Sequence, residues 1–270
     1  MISLEQLQAG IVLPIDKPRQ WTSFQAVNKI KAVVRNTYGL KKFKIGHAGT
    51  LDPLATGLLL VCLGKATKRI SELQDSDKVY TGTLVLGATT PCYDLERAID
   101  HYHPYDHITR ELIAETAQRF TGTIQQVPPM FSAVKVDGQR AYEYARADDP
   151  TITIQPKPVQ VYSFEITALR QGAPKDPNDL KDLKDLKDPK DLKNLTHLYD
   201  HPLGEVPPHL PQADFRIRCG KGTYIRSLAR DLGVALGSGA FLCALRREQI
   251  GDYTVDRALQ LDQVADYLLN

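Results

Sequence analysis

The sequence indicates a protein of the α+β class, in which strands and helices follow one another along a chain of 270 residues. Two kinds of pattern support this assignment. Residues 79–90 and 159–169 show the alternation, with a period of two, that is typical of strands. Residues 24–34 and 225–232 carry apolar side chains three and four positions apart, which is typical of helices that pack by one face.

The first half of the chain is predicted to alternate between helices and strands. In chain order the predicted elements are a lead-in that ends in a turn (1–20), a helix (21–35), a buried strand (58–64), the start of a helix (65–74), a strand (79–90) and a helix (109–120). Thr22 or Ser23 can cap the first long helix, because a side-chain oxygen there accepts a hydrogen bond from a free backbone N–H group.

The second half is predicted to hold the remaining strands and two further helices. In chain order its elements are a short strand, an Asp-Gly turn and a helix start (127–146), two strands (151–155 and 159–169), a strand, a Gly turn and a helix (214–237), a strand pair (243–255) and a terminal helix (259–269). Thr223 is the expected cap of the helix that follows the Gly turn.

Residues 171–212 are predicted to be a flexible, low-complexity insertion in a loop. They contain the run DLKDLKDLKDPKDLKNL, whose period of three fits neither a helix nor a strand. Prolines in the segment also argue against a regular element. A fragile helix over residues 180–195 is the alternative, and neither interpretation gives the segment a catalytic group.

The composition excludes several classes of protein. The most apolar run, residues 58–63, is far shorter than the roughly 20 residues of a membrane-spanning helix, and the N-terminus lacks the pattern of a signal peptide. The four cysteines are scattered without a CxxC pair, which predicts reduced thiols in a cytoplasmic protein and no metal site. The length allows one large domain with an ample core.

The charges are unevenly distributed along the chain. Residues 1–69 hold 11 basic against 3 acidic residues, and residues 214–250 hold 7 against 3, although the whole chain has a net charge of only +2. Two basic segments that meet in the fold would form a positive face that attracts polyanions. Two separate solvated surfaces are the other interpretation.

The loop of residues 46–57, GHAGTLDPLATG, is the most unusual segment. Asp52 is its only acidic residue and is surrounded in sequence by lysines, so its carboxylate should stay ionised. The three glycines of the loop allow close approach to a ligand. Asp52 followed by Pro53 equally fits a helix cap and first helical residue, so the residues alone leave a capping and a catalytic role open.

Four other residues have both a functional and a structural interpretation. His47 fits a nucleic-acid contact or loop packing. Tyr80 and Tyr224 fit rings that stack on bases, or rings in the core. Arg226 fits a group that holds a phosphate or pairs with a buried carboxylate, and equally an arginine on the surface.

Five sequence blocks, in the same order and approximate spacing, resemble bacterial tRNA pseudouridine-55 synthases of the TruB family. They are IDKPRQWTS (15–23), GHAGTLDPLATGLLLVCLGKATK (46–68), DSDKVY (75–80), VPPMFSAVKVDGQRAYEYAR (127–146), and KGTYIRSLARDLG with a later LRR (221–233 and 245–247). The resemblance covers most of the chain outside the insertion. It implies a pseudouridine synthase fold, with a mixed, mainly antiparallel sheet flanked by helices.

The resemblance implies a role for each residue that matches a family motif. Asp52 would be the catalytic aspartate and would pair with Arg226. Tyr80 would stack on the target uracil, near the proton removed late in the reaction. Leu245 would pack against the flipped base, and His47 would take the place that this base leaves in the RNA stack.

Four more residues are implied to support substrate binding. Lys17 and Pro18 match the first motif of the family, and Tyr224 matches the third. Asp94 matches an acidic residue that supports the network of the active site.

The implied reaction is the isomerisation of uridine 55 in the T-arm of tRNA. The glycosidic bond breaks and the uracil rejoins through carbon 5, which requires no redox cofactor and no metal. The aspartate can add to the uracil ring or to the ribose carbon, and the sequence leaves both routes open. The base must first be flipped out of the folded RNA. The protein is expected to act as a monomer in the cytoplasm.

This chain departs from the family pattern in three places. Gln20 replaces a glycine of the first motif, so the turn there is expected to differ. Pro91 replaces an acidic residue, although Asp94 remains. The residues after the last catalytic strands are too few for the C-terminal PUA domain that many members carry, which would affect tRNA affinity more than chemistry.

Two rival functions also have to be considered for this chain. A non-catalytic tRNA-binding or tRNA-folding protein on the same scaffold would not need Asp52, Tyr80 and Arg226, which are all present. A phosphate-binding enzyme of small nucleotides would need the P-loop or dinucleotide spacing that the glycine-rich loop lacks.

Deletion of residues 173–208 should leave turnover on tRNA within a few-fold of wild type, because the insertion is predicted to carry no catalytic group. Turnover would be measured beside a thermal unfolding curve. A deletion protein that folds but has lost its activity would contradict the prediction.

Overall fold

The computed structural model describes residues 2–132, 134–136, 139–141, 144, 153–173 and 205–270. Its helices are α1 (Leu4–Ala9), α2 (Ser23–Tyr38), α3 (Ile70–Asp75), α4 (Arg110–Gln118), α5 (Ile225–Ala235) and α6 (Val264–Leu269). Its strands are β1 (Ile11–Lys17), β2 (Ile45–His47), β3 (Thr56–Leu63), β4 (Lys78–Leu86), β5 (Ala88–Thr89), β6 (His101–Tyr102), β7 (Gly122–Gln126), β8 (Lys135–Val136), β9 (Gln139–Arg140), β10 (Lys157–Arg170), β11 (Gln212–Cys219), β12 (Ala240–Ile250) and β13 (Tyr253–Thr254).

Nine of these strands form one sheet. Its order is β1-β3-β12-β4-β11-β10-β7, with β2 also paired to β3 and β13 to β12. The β1–β3, β2–β3 and β7–β10 pairs are antiparallel, whereas β3 and β12 run parallel. The predicted α+β class with a mixed, mainly antiparallel sheet is therefore confirmed.

The chain divides into two compact units. The first unit comprises residues 1–81, 217–222 and 244–270. Its central strand, β3, is buried along almost its whole length, so apolar side chains point to both of its faces. Leu59, Val61 and Leu63 pack in one cluster with α2 and α6, and Leu58 and Leu60 pack in a second cluster.

The second unit comprises residues 82–216 and 223–243. Helix α4 packs on β10 and buries Ile113 and Ala117. Phe164 of β10 meets Phe215 of β11 edge to face, with ring centroids 6.1 Å apart. The backbone N–H of Ala173 donates to Pro208 O at 2.8 Å, so the described ends of the insertion lie side by side.

The N-terminal lead-in was predicted wrongly. Residues 1–20 contain a helix, α1, and the strand β1, which pairs along its whole length with β3. Ser3 and Gln6 form a capping box at α1, each side chain accepting the other's backbone N–H. This Ser-x-x-Gln pattern was the sequence signal for the helix.

Most other elements match the predictions, with shifted ends. Thr22 caps α2 and accepts the N–H of Gln25 at 3.1 Å. The expected cap Thr223 is wrong, because Tyr224 is the residue that precedes α5. Residues 153–155 of the predicted strand 151–155 are not in a strand, and the terminal helix begins at Val264 rather than at residue 259.

Several predictions lie outside the described residues. They are the fragile helix at 180–195 and the flexible character of residues 174–204. Residues 137–138, where the Asp-Gly turn is predicted, lie outside as well, although β8 and β9 on either side pair antiparallel.

Gln20 has a left-handed backbone conformation, with φ of +67°. Its N–H donates to Pro53 O at 2.8 Å, which ties the turn to the loop of Asp52. A branched side chain is strained in this conformation, whereas glycine adopts it freely.

Replacing Gln20 with valine should therefore lower the free energy of unfolding by about 1 kcal/mol, because a β-branched side chain is more strained than glutamine at this φ. Gln20→Gly should stay within about 1 kcal/mol of wild type, since relief of strain offsets the added entropy of the unfolded chain. Chemical denaturation measures both, with the exposed neighbour Arg19→Val as control. Equal stability of Gln20→Val and Arg19→Val would contradict the expectation.

Candidate active site

The Asp52 loop, defined here as residues 48–55, connects β2 to β3 in the first unit. The hydroxyl of Ser23, at the start of α2, accepts the N–H of Leu51 at 2.9 Å and donates to Leu51 O at 3.2 Å. Leu51 is buried, whereas Asp52 is partly exposed. The neighbouring backbone is thus anchored, and Asp52 itself stays partly exposed.

Lys17 lies at the end of β1 and is completely buried. Its ammonium donates to Trp21 O at 2.6 Å, to Pro18 O at 3.0 Å and to Pro53 O at 3.4 Å. Burial lowers the pKa of Lys17 from 10.5 to about 8, although the negative charge of Asp52 acts in the opposite direction. The Lys17 ammonium and the Gln20 N–H thus both donate to the carbonyl oxygen of Pro53, the residue that follows Asp52.

Arg247, on β12, holds the loop and the start of β3. Its guanidinium donates from Nε to Leu58 O at 2.7 Å, from Nη2 to Gly49 O at 3.1 Å and from Nη1 to Thr50 O at 3.3 Å. Only 1% of the residue is exposed. In the sequence Arg247 belongs to the LRR motif without an implied role, since an arginine in a strand gives no sign of being buried.

Tyr80, on β4, is buried in the same unit. Burial raises the pKa of its hydroxyl, and the charge of Arg247 and a hydrogen bond with it act against this shift. The hydroxyl is therefore a neutral phenol at physiological pH.

His47 and Leu245 are both partly buried residues of the first unit. Burial lowers the pKa of His47 and outweighs a backbone hydrogen bond with Gly49, so the imidazole is uncharged at neutral pH. Leu245 lies on β12, and its carbonyl accepts a long 3.5 Å hydrogen bond from Thr56.

Arg226 lies in the first turn of α5 in the second unit and is 5% exposed. Its guanidinium lies 3.7 Å from the buried carboxylate of Asp94 and donates to Phe131 O at 2.8 Å and to Cys92 O at 3.1 Å. The interpretation of Arg226 as a surface arginine is therefore wrong.

Burial, followed by the nearby Asp94, raises the pKa of the Cys92 thiol to about 12.

Tyr224 is held by the side chain of Gln126, which lies at the end of β7. The Tyr224 N–H donates to Gln126 Oε1 at 2.8 Å, and Gln126 Nε2 donates to Tyr224 O at 3.2 Å. These bonds occupy the backbone at the start of α5, where the expected cap Thr223 is not the N-cap. Gln126 was not singled out in the sequence.

Asp94 is set in a tight turn that begins next to Pro91. Thr90 Oγ1 donates to Asp94 O at 2.7 Å, and the Asp94 carboxylate accepts the N–H of Glu96 at 3.0 Å. Pro91 itself is exposed. The position at which the resemblance implies an acidic residue therefore lies on the surface here.

Two family models match the chain. Residues 35–176 match the N-terminal domain of TruB family pseudouridylate synthases, and residues 226–270 match the C-terminal domain of tRNA pseudouridylate synthase B. The chain is 49% identical over 258 residues to tRNA pseudouridine synthase B of Flavobacterium johnsoniae, covering 95% of each chain. It is 43% identical to the same enzyme of Phocaeicola vulgatus, covering 96% of this chain and 93% of the relative. The chain belongs to the TruB family.

Solved structures share the fold of this TruB family member. A chain in the crystal structure of a Cbf5-Nop10-Gar1 complex aligns with a TM-score of 0.60 and 25% identity over 97% of this chain. A chain of an H/ACA RNP bound to a substrate RNA containing 2'-deoxyuridine aligns with a TM-score of 0.58 and 24% identity. This chain spans 55% of the length of each.

No helix of the described residues is long and apolar enough to cross a membrane. Within the same residues, His, Cys, Asp and Glu form no group of three or more that could hold a metal ion.

The TruB member should show a pH-dependent stability that Lys17 causes. Between pH 8 and 10 the unfolded chain holds the Lys17 proton more tightly than the folded chain, so the free energy of unfolding should rise with pH. In this range the free energy of unfolding of wild type should rise by about 1 kcal/mol per pH unit relative to that of Lys17→Met.

Urea denaturation of both proteins at pH 8, 9 and 10 measures this difference. The exposed Lys29→Met is the matched control and should follow wild type. A constant difference between wild type and Lys17→Met across the three pH values would contradict the prediction.

Proposed function

We propose that this TruB family member isomerises uridine 55 in the T-arm of tRNA to pseudouridine, with Asp52 as the catalytic carboxylate. Its curated relatives are tRNA pseudouridine synthases over nearly their whole length, which supports an isomerase that acts on tRNA. The observation that carries the catalytic part is a partly exposed carboxylate on a loop whose backbone is anchored by Ser23, Lys17 and Arg247.

A partly exposed aspartate on an anchored backbone suits nucleophilic catalysis. Attack requires the reacting atoms to approach closely in the right direction, and a pre-organised loop removes much of the entropy cost of that approach. An ionised aspartate can add to the uracil ring or to the ribose carbon, and both routes stay within the proposal. In either route one glycosidic bond breaks, one carbon–carbon bond forms and the proton leaves carbon 5 for nitrogen 1.

Tyr80 is proposed to stack on the uracil and to lie near the proton that leaves carbon 5. Its neutral phenol presents an apolar face and a polar hydroxyl, which suits a base with a polar edge. Leu245 is proposed to pack on the same base, and Pro18 to shape the turn behind the Asp52 loop.

The RNA is proposed to bind across the basic N-terminal segment. Lys41, Lys42 and Lys44 are exposed immediately before β2, which carries His47. Such lysines bind phosphates and make the affinity dependent on salt. The uncharged His47 ring is suited to stacking in the place of the flipped base.

The second unit is proposed to contribute Arg226, Asp94 and Tyr224. Arg226 and Asp94 form a buried pair, and the Arg226 guanidinium also donates to backbone carbonyls. The orientation of this guanidinium is therefore set before the substrate binds. Arg226 is proposed to stabilise negative charge during the reaction, Asp94 to orient Arg226, and Tyr224 to support the RNA. The enzyme is proposed to act as a monomer in the cytoplasm.

The Asp52→Asn variant should bind an unmodified tRNA transcript and form no pseudouridine. Asparagine has nearly the same shape but is not a nucleophile, so the loop should keep its conformation while the reaction stops. Pseudouridine would be mapped by position on the transcript, beside a binding measurement. The exposed Asp262→Asn, from the same unit, is the matched control and should stay within about two-fold of wild type.

Product at a site outside the T-arm would contradict the proposed target. Full activity of Asp52→Asn would contradict the proposed nucleophile. Tight binding by wild type without any product would favour the tRNA-binding or tRNA-folding protein.

A further inference from the structure

The three carbonyl oxygens that Arg247 binds lie on both sides of Asp52 in the chain. Gly49 and Thr50 precede Asp52 by three and two residues, and Leu58 follows it on β3. One rigid guanidinium therefore clamps the entrance and the exit of the Asp52 loop. Hydrogen bonds from a charged donor are stronger than those from a neutral one, so this clamp resists opening.

The backbone of Arg247 is fixed as firmly as its side chain. It lies opposite Gly57 in the parallel pairing of β12 with β3. A Cβ on Gly57 would come within 2.4 Å of Arg247 O and 2.8 Å of Arg247 N, so the two strands approach more closely than any other residue at position 57 would permit. The guanidinium thus extends from a fixed backbone towards the loop.

The charge of Arg247 also acts on three neighbouring side chains that the sequence analysis placed in the site. It lowers the pKa of Lys17, of His47 and of Tyr80. In each case this effect is smaller than that of burial. Arg247 therefore links these groups electrostatically as well as holding the loop.

We propose that Arg247 is a positioning residue of the reaction: it holds the backbone on either side of Asp52 so that the carboxylate meets the flipped base in a reactive orientation, with Tyr80 beside it. This inference rests on the proposed catalytic role of Asp52. Because only 1% of Arg247 is exposed, it would act through the loop that it holds.

Only arginine has the shape for this task. Its planar fork donates in several directions at once, which serves three acceptors on two segments of backbone. A lysine ammonium keeps the charge but concentrates its donors at one point. A glutamine keeps two donors but loses both the charge and the reach.

The experiment compares wild type with Arg247→Lys, Arg247→Gln and Asp52→Asn on an unmodified tRNA transcript. The single-turnover rate with enzyme in excess reports the chemical step, and a separate titration reports the dissociation constant of the tRNA. Each protein is assayed well below its own thermal midpoint, so that the folded fraction is close to one. Arg246→Gln is the matched control, since it removes a charge and the Asp16 ion pair from the same strand without touching the clamp.

The expected result is a split between rate and binding. Arg247→Gln should lose about 100-fold in single-turnover rate, the scale expected when a reacting group is misplaced by about 1 Å. Arg247→Lys should recover part of that loss, and the dissociation constant of both should stay within about three-fold of wild type. Arg246→Gln should stay within about three-fold of wild type in rate.

Three results would overturn the inference. They are a wild-type rate in Arg247→Lys, a wild-type rate in folded Arg247→Gln, and a loss that lies in tRNA binding instead of rate. If Arg247→Gln does not fold, the Arg247→Lys rate decides alone.

Asp52→Asn separates this inference from the proposed function. An active Asp52→Asn would refute the proposed nucleophile, whatever the arginine variants do. An inactive Asp52→Asn beside fully active arginine variants would refute the positioning role alone.

Discussion

The first unit is organised around a positive charge that is buried on β12. The Arg247 guanidinium is almost inaccessible to water, and three backbone carbonyls accept its hydrogen bonds. Removal of the side chain would leave these carbonyls without the donor that now satisfies them, at a cost of about 1–3 kcal/mol each. The parallel pairing of β12 with β3 places this charge under the loop, and Gly57 is the residue that allows the two strands to come so close.

A lysine repeats this design at Pro53, the residue that follows Asp52. Lys17 ends β1, which pairs antiparallel with β3, and its ammonium donates to Pro53 O and to two carbonyls of its own turn. Both cations therefore bind backbone atoms, and the partly exposed carboxylate lies between the segments that they hold. The segment of residues 46–57, which contains three glycines, would otherwise lose much conformational entropy on ordering, and these bonds offset that loss.

The second unit holds its buried arginine in a different way. Arg226 is paired with the carboxylate of Asp94 and is further bonded to the carbonyls of Cys92 and Phe131. A buried ion pair of this kind stabilises the fold little compared with apolar side chains, but it resists reorientation because every displaced donor would be left unsatisfied. The side chain of Gln126 likewise holds the backbone of Tyr224, by accepting a hydrogen bond from its N–H.

The sequence by itself determined the α+β class, most helices and strands, the family blocks and the candidate Asp52, because these depend on local periodicity and on short motifs. It missed the helix and strand of residues 1–20 and the short strands β2, β6 and β7, and it could not show that Arg226 and Lys17 are buried. Only the tertiary structure decided which atoms the buried arginines bind. The acceptors of Arg247 and the partner of Arg226 are far away in sequence, and most are backbone carbonyls, which every residue possesses. Hydrogen bonds to such carbonyls leave no trace in residue type, so only the packing of the strands reveals them.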